Sequence, residues 1–121
     1  HFVLLCPAFG LATAAVYRSV VVPAQPVCGG AIQEALAKGD VDLIGGLLHN
    51  RLQLAAESLD PRVAEYGKML AGCSPAGYLM SGSGSTLFAL CRSAPDAERV
   101  AAELTTRTNA HDFRLIVTRT V

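Results

Sequence analysis

"YLMSGSGSTLFALC" occupies residues 78–91. Two apolar runs, 78–80 and 87–92, bracket Ser81, Gly82, Ser83, Gly84, Ser85 and Thr86. Short apolar runs bounded by turn residues read as buried strands. The stretch is therefore a pair of strands joined by a serine-glycine loop. Five residues, Ser81 to Ser85, exceed the two that a tight hairpin turn needs.

The order of elements follows outward from that hairpin. Downstream, Ser93-Ala94-Pro95-Asp96 has the form of a capping box, with proline and an acid in the first turn. Ala97, Val100, Ala101 and Leu104 recur at helical spacing behind it. Phe113, Leu115 and Val117 then alternate with Arg114, Ile116 and Thr118, a strand with one buried face. Upstream, Asp60-Pro61 opens a helix carrying Val63, Tyr66, Leu70 and Cys73 at its apolar positions, with Gly72 near its end. Asp40 caps an earlier helix, in which Gly45-Gly46 mark the weakest point and a place for a break. Residues 31–38 form another helix, stopped by Gly39, and Thr13 is the expected N-cap of a short one through Arg18. Pro23 and Pro26 forbid regular helix in the segment between. The chain opens on a strand over residues 2–6, ended by Pro7. A β-α-β-β-α-β order with helices inserted after the first strand predicts an α+β, ferredoxin-like sandwich.

The loop itself has two readings. Gly82 and Gly84 permit positive φ, successive backbone N–H groups can form an anion-binding concavity, and the hydroxyls of Ser81, Ser83, Ser85 and Thr86 can donate to phosphate oxygens. A plain connecting loop fits the same residues. It is not a Walker loop, because no Gly-Lys-Ser/Thr follows and the next element is a strand. A dinucleotide fingerprint is also excluded, for want of a third glycine and a helix.

Catalytic groups are scarce. Asp40, Asp60 and Asp96 stand at helix starts and read as caps, and Asp112 reads as a turn residue. His49 lies on a leucine-rich helix in a structural role, His111 lies in a loop, and Lys38 and Lys68 are exposed helix positions. No catalytic residue is therefore assigned in this chain. No metal site is either, since Cys6, Cys28, Cys73 and Cys91 stand far apart without paired spacing.

The chain has 121 residues, 51% of them hydrophobic, with 10 basic and 10 acidic side chains and no net charge. That is one domain with enough apolar mass for a core. Nucleic-acid binding needs a basic excess, which is missing, and no apolar run is long enough to span a bilayer. Unpaired cysteines in apolar segments point to a reducing compartment, the cytoplasm. His1 leads directly into a strand, with neither a methionine nor a signal-peptide pattern, so a piece of a longer chain is expected.

The run "GYLMSGSGSTLFAL" resembles the third motif of the GHMP kinase superfamily. Within it, the Met-Ser-Gly-Ser-Gly-x-Thr-x-Phe-Ala-Leu form is most similar to the family of 4-diphosphocytidyl-2-C-methyl-D-erythritol kinases. "PAFGLATAAVYR" (residues 7–18) and "HNRLQLAAESLDPRVAEY" (residues 49–66) resemble two further segments of that family, with Asn50, Leu52 and Pro61 matching. Gln53 stands where the family usually has Glu, and Ser85 where proline is common. The resemblance covers nearly the whole chain but only the C-terminal half of such an enzyme. It implies a ferredoxin-like C-terminal domain over residues 1–121, with the ATP loop and catalytic Lys and Asp on an absent N-terminal domain. The implied parent reaction transfers the γ-phosphoryl of ATP, with Mg²⁺, to the 2-hydroxyl of the diphosphocytidyl substrate in non-mevalonate isoprenoid biosynthesis. Residues 81–86 would then line the substrate and phosphates. The implied partners are that small molecule and the N-terminal domain, and the fragment alone would be inactive and bind nucleotide weakly. Homoserine, mevalonate or sugar kinases of the same superfamily, and a non-catalytic ferredoxin-like module, remain alternatives.

Overall fold

The computed structural model describes residues 1–107 and 112–121. Four strands form one antiparallel sheet: β1 (Phe2–Pro7), β2 (Gly77–Met80), β3 (Leu87–Leu90) and β4 (Phe113–Thr118). Their spatial order is β2-β3-β1-β4. This is the split order of a ferredoxin-like sandwich, and it bears out the expected α+β class. Leu5 pairs with Leu87 and Val3 with Ala89, while Met80 and Tyr78 lie opposite the same two β3 residues. One face of the sheet thus presents Val3, Leu5, Met80, Leu87 and Ala89, all buried.

Two helices cover that face: α5 (Arg62–Gly72) and α6 (Ala94–Arg107). They contribute Val63, Leu70, Ala97, Val100 and Leu104, each fully buried. Their ends follow the sequence signals. At α5 the start is one residue later than expected, with Pro61 at the cap position and Arg62 first in the helix, although Asp60 Oδ1 still accepts the Arg62 N–H at 3.0 Å. The Ser93 hydroxyl accepts the Asp96 N–H at 3.2 Å, and Asp96 Oδ2 accepts the Arg92 N–H at 2.9 Å. Phe113 and Leu115 pack on the core from β4, whereas Val117, expected on the same buried face, is exposed. Cys73 and Cys91 are buried, and burial raises both thiols above the usual range. His111 lies outside the described residues.

Four shorter helices fill the connection from β1 to β2: α1 (Thr13–Arg18), α2 (Gly30–Lys38), α3 (Val41–Leu47) and α4 (Gln53–Leu59). Asp40 caps α3, its Oδ1 accepting the Leu43 N–H at 3.0 Å. Two expectations change here. Thr13 does not cap α1; Ala12 occupies that position and makes no side-chain cap bond. The helix from Asp40 runs unbroken through Gly45-Gly46, and the break falls at residues 48–52 instead. Gly45 is small for a tertiary reason: a Cβ there would overlap the Ala76 carbonyl, and one at Gly77 would overlap Gly45. The two glycines let α3 cross the edge strand β2 backbone to backbone.

Candidate functional site

The serine-glycine loop leaves the sheet between β2 and β3, which hold its two ends in register at Met80 and Leu87. The Ser81 N–H donates to the Thr86 carbonyl at 2.9 Å, and the Gly84 N–H to the Ser81 carbonyl at 3.0 Å. Gly82 and Gly84 take φ of 57° and 86°, the left-handed region that glycine enters without cost. With those amides turned, the N–H groups of Gly82, Ser83, Ser85 and Thr86 have no hydrogen-bond partner among the described residues. Successive backbone N–H groups in a turn of this kind can form a concavity for an anion. The loop carries no charged side chain, so its polarity comes from backbone dipoles and hydroxyls.

The hydroxyls divide into two groups. Those of Ser81 and Thr86 make no hydrogen bond among the described residues. Ser85 is buried, and its hydroxyl donates to the Phe9 carbonyl. The Ser83 hydroxyl lies 3.0 Å from that of Thr13. Thr13 therefore serves the loop rather than the end of its own helix. The segment between β1 and α1 forms the loop's floor, with Leu11 and Met80 beneath Gly84.

Two further side chains reach the loop and the strand end it leaves, Asn50 from the break between α3 and α4 and Gln53 from the first residue of α4. Asn50 Nδ2 donates to the Met80 carbonyl at 2.7 Å and to the Gly82 carbonyl at 2.8 Å. Its Oδ1 accepts the Leu52 N–H at 2.9 Å. Gln53 Oε1 accepts the Met80 N–H at 3.0 Å, and its Nε2 donates to Glu57 Oε1 at 2.9 Å. Sequence reasoning gave neither residue a contact. The available signal was two amide side chains, three positions apart, interrupting a leucine-rich run. Nothing in that pattern says that they meet a loop 30 residues away.

Beside this clamp lies a mostly apolar groove of about 650 Å³, with Val20, Val27, His49, Leu54 and Leu79 among its walls. His49, expected on a helix, lies instead in the break between α3 and α4 and forms part of the groove wall. Asp40, Asp60 and Asp96 remain at their helix starts, away from the loop. Among the described residues no three His, Cys, Asp or Glu side chains gather as a metal would require. No helix of the described residues is long and apolar enough to cross a membrane.

Comparison with known proteins bears on the fold and the family. Residues 32–110 match the family model described as GHMP kinases C terminal. The chain is 38% identical over 120 residues to a 4-diphosphocytidyl-2-C-methyl-D-erythritol kinase of Pelotomaculum thermopropionicum, covering 98% of this chain and 40% of that protein. A protein of the same name from Mycobacterium bovis is 39% identical over 110 residues, covering 86% and 35%. A crystal structure of 4-(cytidine 5'-diphospho)-2C-methyl-D-erythritol kinase superposes with a TM-score of 0.72 at 32% identity, over 95% of this chain and 40% of that one. Homoserine kinase from Cytophaga hutchinsonii shares the fold at a TM-score of 0.70 and 20% identity, over 95% of this chain and 39% of that one. The chain spans about 40% of the length of the relatives it matches. With its motif loop carried on a ferredoxin-like sheet, this chain belongs to the GHMP kinases, in the family of their C-terminal domains.

Proposed function

We propose that this chain is the C-terminal domain, residues 1–121, of an ATP-dependent kinase. Its substrate is 4-diphosphocytidyl-2-C-methyl-D-erythritol, phosphorylated on the 2-hydroxyl for isoprenoid biosynthesis. The observation that carries this reading is the 38% identity to a kinase of that name over 98% of the chain. Phosphoryl transfer is catalysed mainly by positioning and by stabilising charge. A loop with unpartnered N–H groups suits that task. Ser81, Gly82, Ser83, Gly84, Ser85 and Thr86 form one wall of the cleft, Ser81 and Thr86 through free hydroxyls and Ser85 through its backbone. The other wall, with the groups that move protons, belongs to an N-terminal domain. Mg²⁺ accompanies ATP, but this loop offers it no carboxylate and the described residues hold no ligand cluster. Free Cys6, Cys28, Cys73 and Cys91 fit a cytoplasmic protein.

A coupled ADP-release assay on the full-length protein tests the assignment, with a panel of diphosphocytidyl methylerythritol, homoserine and mevalonate. Turnover of the first alone is expected. Preference for either of the others would overturn the substrate assignment. The isolated chain should show no turnover and no calorimetric signal at micromolar MgATP.

A further inference from the structure

We propose that Asn50 and Gln53 act together as positioning residues, holding the serine-glycine loop open before any ligand arrives. The inference deepens the kinase reading and rests on it for the identity of the ligand.

The geometry is specific to amides. Asn50 spends its oxygen on the Leu52 N–H, which fixes the side chain and aims its nitrogen at the loop. Both donations from that nitrogen then fall on carbonyls flanking Ser81, those of Met80 and Gly82. Gln53 takes the opposite role at Met80, accepting its N–H. Glu57 accepts from the Gln53 nitrogen and so decides which end of the amide faces Met80. Both backbone groups of Met80 and the carbonyl of Gly82 are thereby engaged from one side.

Two consequences follow for an anionic ligand. The engaged carbonyls already accept from Asn50, so the loop's remaining N–H groups would have to compete with it to pair with them. Their negative ends also face Asn50 rather than the concavity. The N–H groups of Gly82, Ser83, Ser85 and Thr86 stay unpartnered among the described residues as a result. A ligand that meets an already open loop binds without a penalty for opening it.

The test uses three variants of the full-length protein. Asn50→Asp removes both donors and sets a carboxylate against two carbonyls. Gln53→Met keeps the volume but removes the acceptor. The exchange Gln53→Glu with Glu57→Gln reverses the pair while keeping an acceptor for Met80. Amide hydrogen exchange is followed at Ser81 and Gly84 against residues 87–90, alongside steady-state kinetics with MgATP and diphosphocytidyl methylerythritol. In Asn50→Asp and Gln53→Met, loop exchange should quicken and KM rise about tenfold while kcat stays within about twofold, because only the open fraction changes. The exchange pair should restore most of the Gln53→Met loss. Three results would each overturn the proposal: Gln53→Met behaving as wild type, strand amides loosening as much as the loop, or kcat falling with KM unchanged. If the wild-type protein does not turn over this substrate, the kinase reading fails, and the exchange data still decide the clamp.

Discussion

Gly82 and Gly84 both take a positive φ but have different surroundings. A Cβ at Gly82 meets nothing within 4 Å, whereas one at Gly84 comes within 2.7 Å of Met80 Sδ and 3.2 Å of Leu11 Cδ1. Gly82→Val should therefore cost only the left-handed strain, about 1–2 kcal/mol. Gly84→Val adds overpacking and should cost about 3 kcal/mol in total. Urea unfolding of the two variants measures the difference, and equal losses would show that Met80 and Leu11 yield freely. Both variants should lose kinase activity in the full-length protein, since both disturb the turned amides. The positive-φ glycines were legible from composition alone. The division of labour among the hydroxyls was not. Ser81 and Ser85 look alike in sequence, but one stands at the surface and the other is buried against Phe9.

At the scale of elements, α3 illustrates how a local signal misleads. Gly45-Gly46 reads as a weak helix centre by propensity. The helix nevertheless continues, because Gly45 lies against Gly77 and Ala76 of the neighbouring strand region. The two glycines should respond oppositely to alanine. Gly45→Ala forces α3 away from β2 and should cost about 3 kcal/mol or more. Gly46→Ala meets nothing within 4 Å, so it should gain about 0.5–1 kcal/mol of helix propensity. Thermal melting of both separates a packing glycine from a merely permitted one. The C-terminal end of α5 is held in a comparable tertiary way. Arg107 donates to the Gly72 carbonyl at 3.2 Å, Arg99 to Cys73 at 2.9 Å and Arg92 to Ser74 at 3.2 Å. Cations at that end also complement the helix dipole.

Over the whole molecule, a charged seam joins the elements that the core does not. Asp42 of α3 meets Arg92, and Asp96, Arg99 and Glu103 follow along α6. Burial alone would raise the Asp96 carboxyl, but hydrogen bonds from the Arg92 N–H and the Arg99 guanidinium hold it below its ordinary 3.8. A carboxyl lowered on folding stabilises the fold above its unfolded pKa. That contribution disappears as the pH falls through the lower folded value. The protein should thus lose stability below about pH 4. Asp96→Asn should melt lower at pH 7 and show a flatter decline in that acid window. An unchanged slope between pH 5 and pH 2 would remove Asp96 from the account.

The architecture was legible because its signals are local. Strand runs, the Asp40 cap, the Ser93-Asp96 box and the 113–118 alternation each act within a few residues of chain, and their order alone yields the split sheet. The serine-glycine loop was legible for the same reason, as glycines where the backbone must turn. Only the tertiary structure decided what surrounds that loop. Thr13, Asn50 and Gln53 lie between 27 and 70 residues from their partners. A hydrogen bond over such a separation leaves no periodicity or composition to detect. It exists because the sheet and the α3–α4 break bring polar side chains to carbonyls and amides that a strand end leaves unpaired.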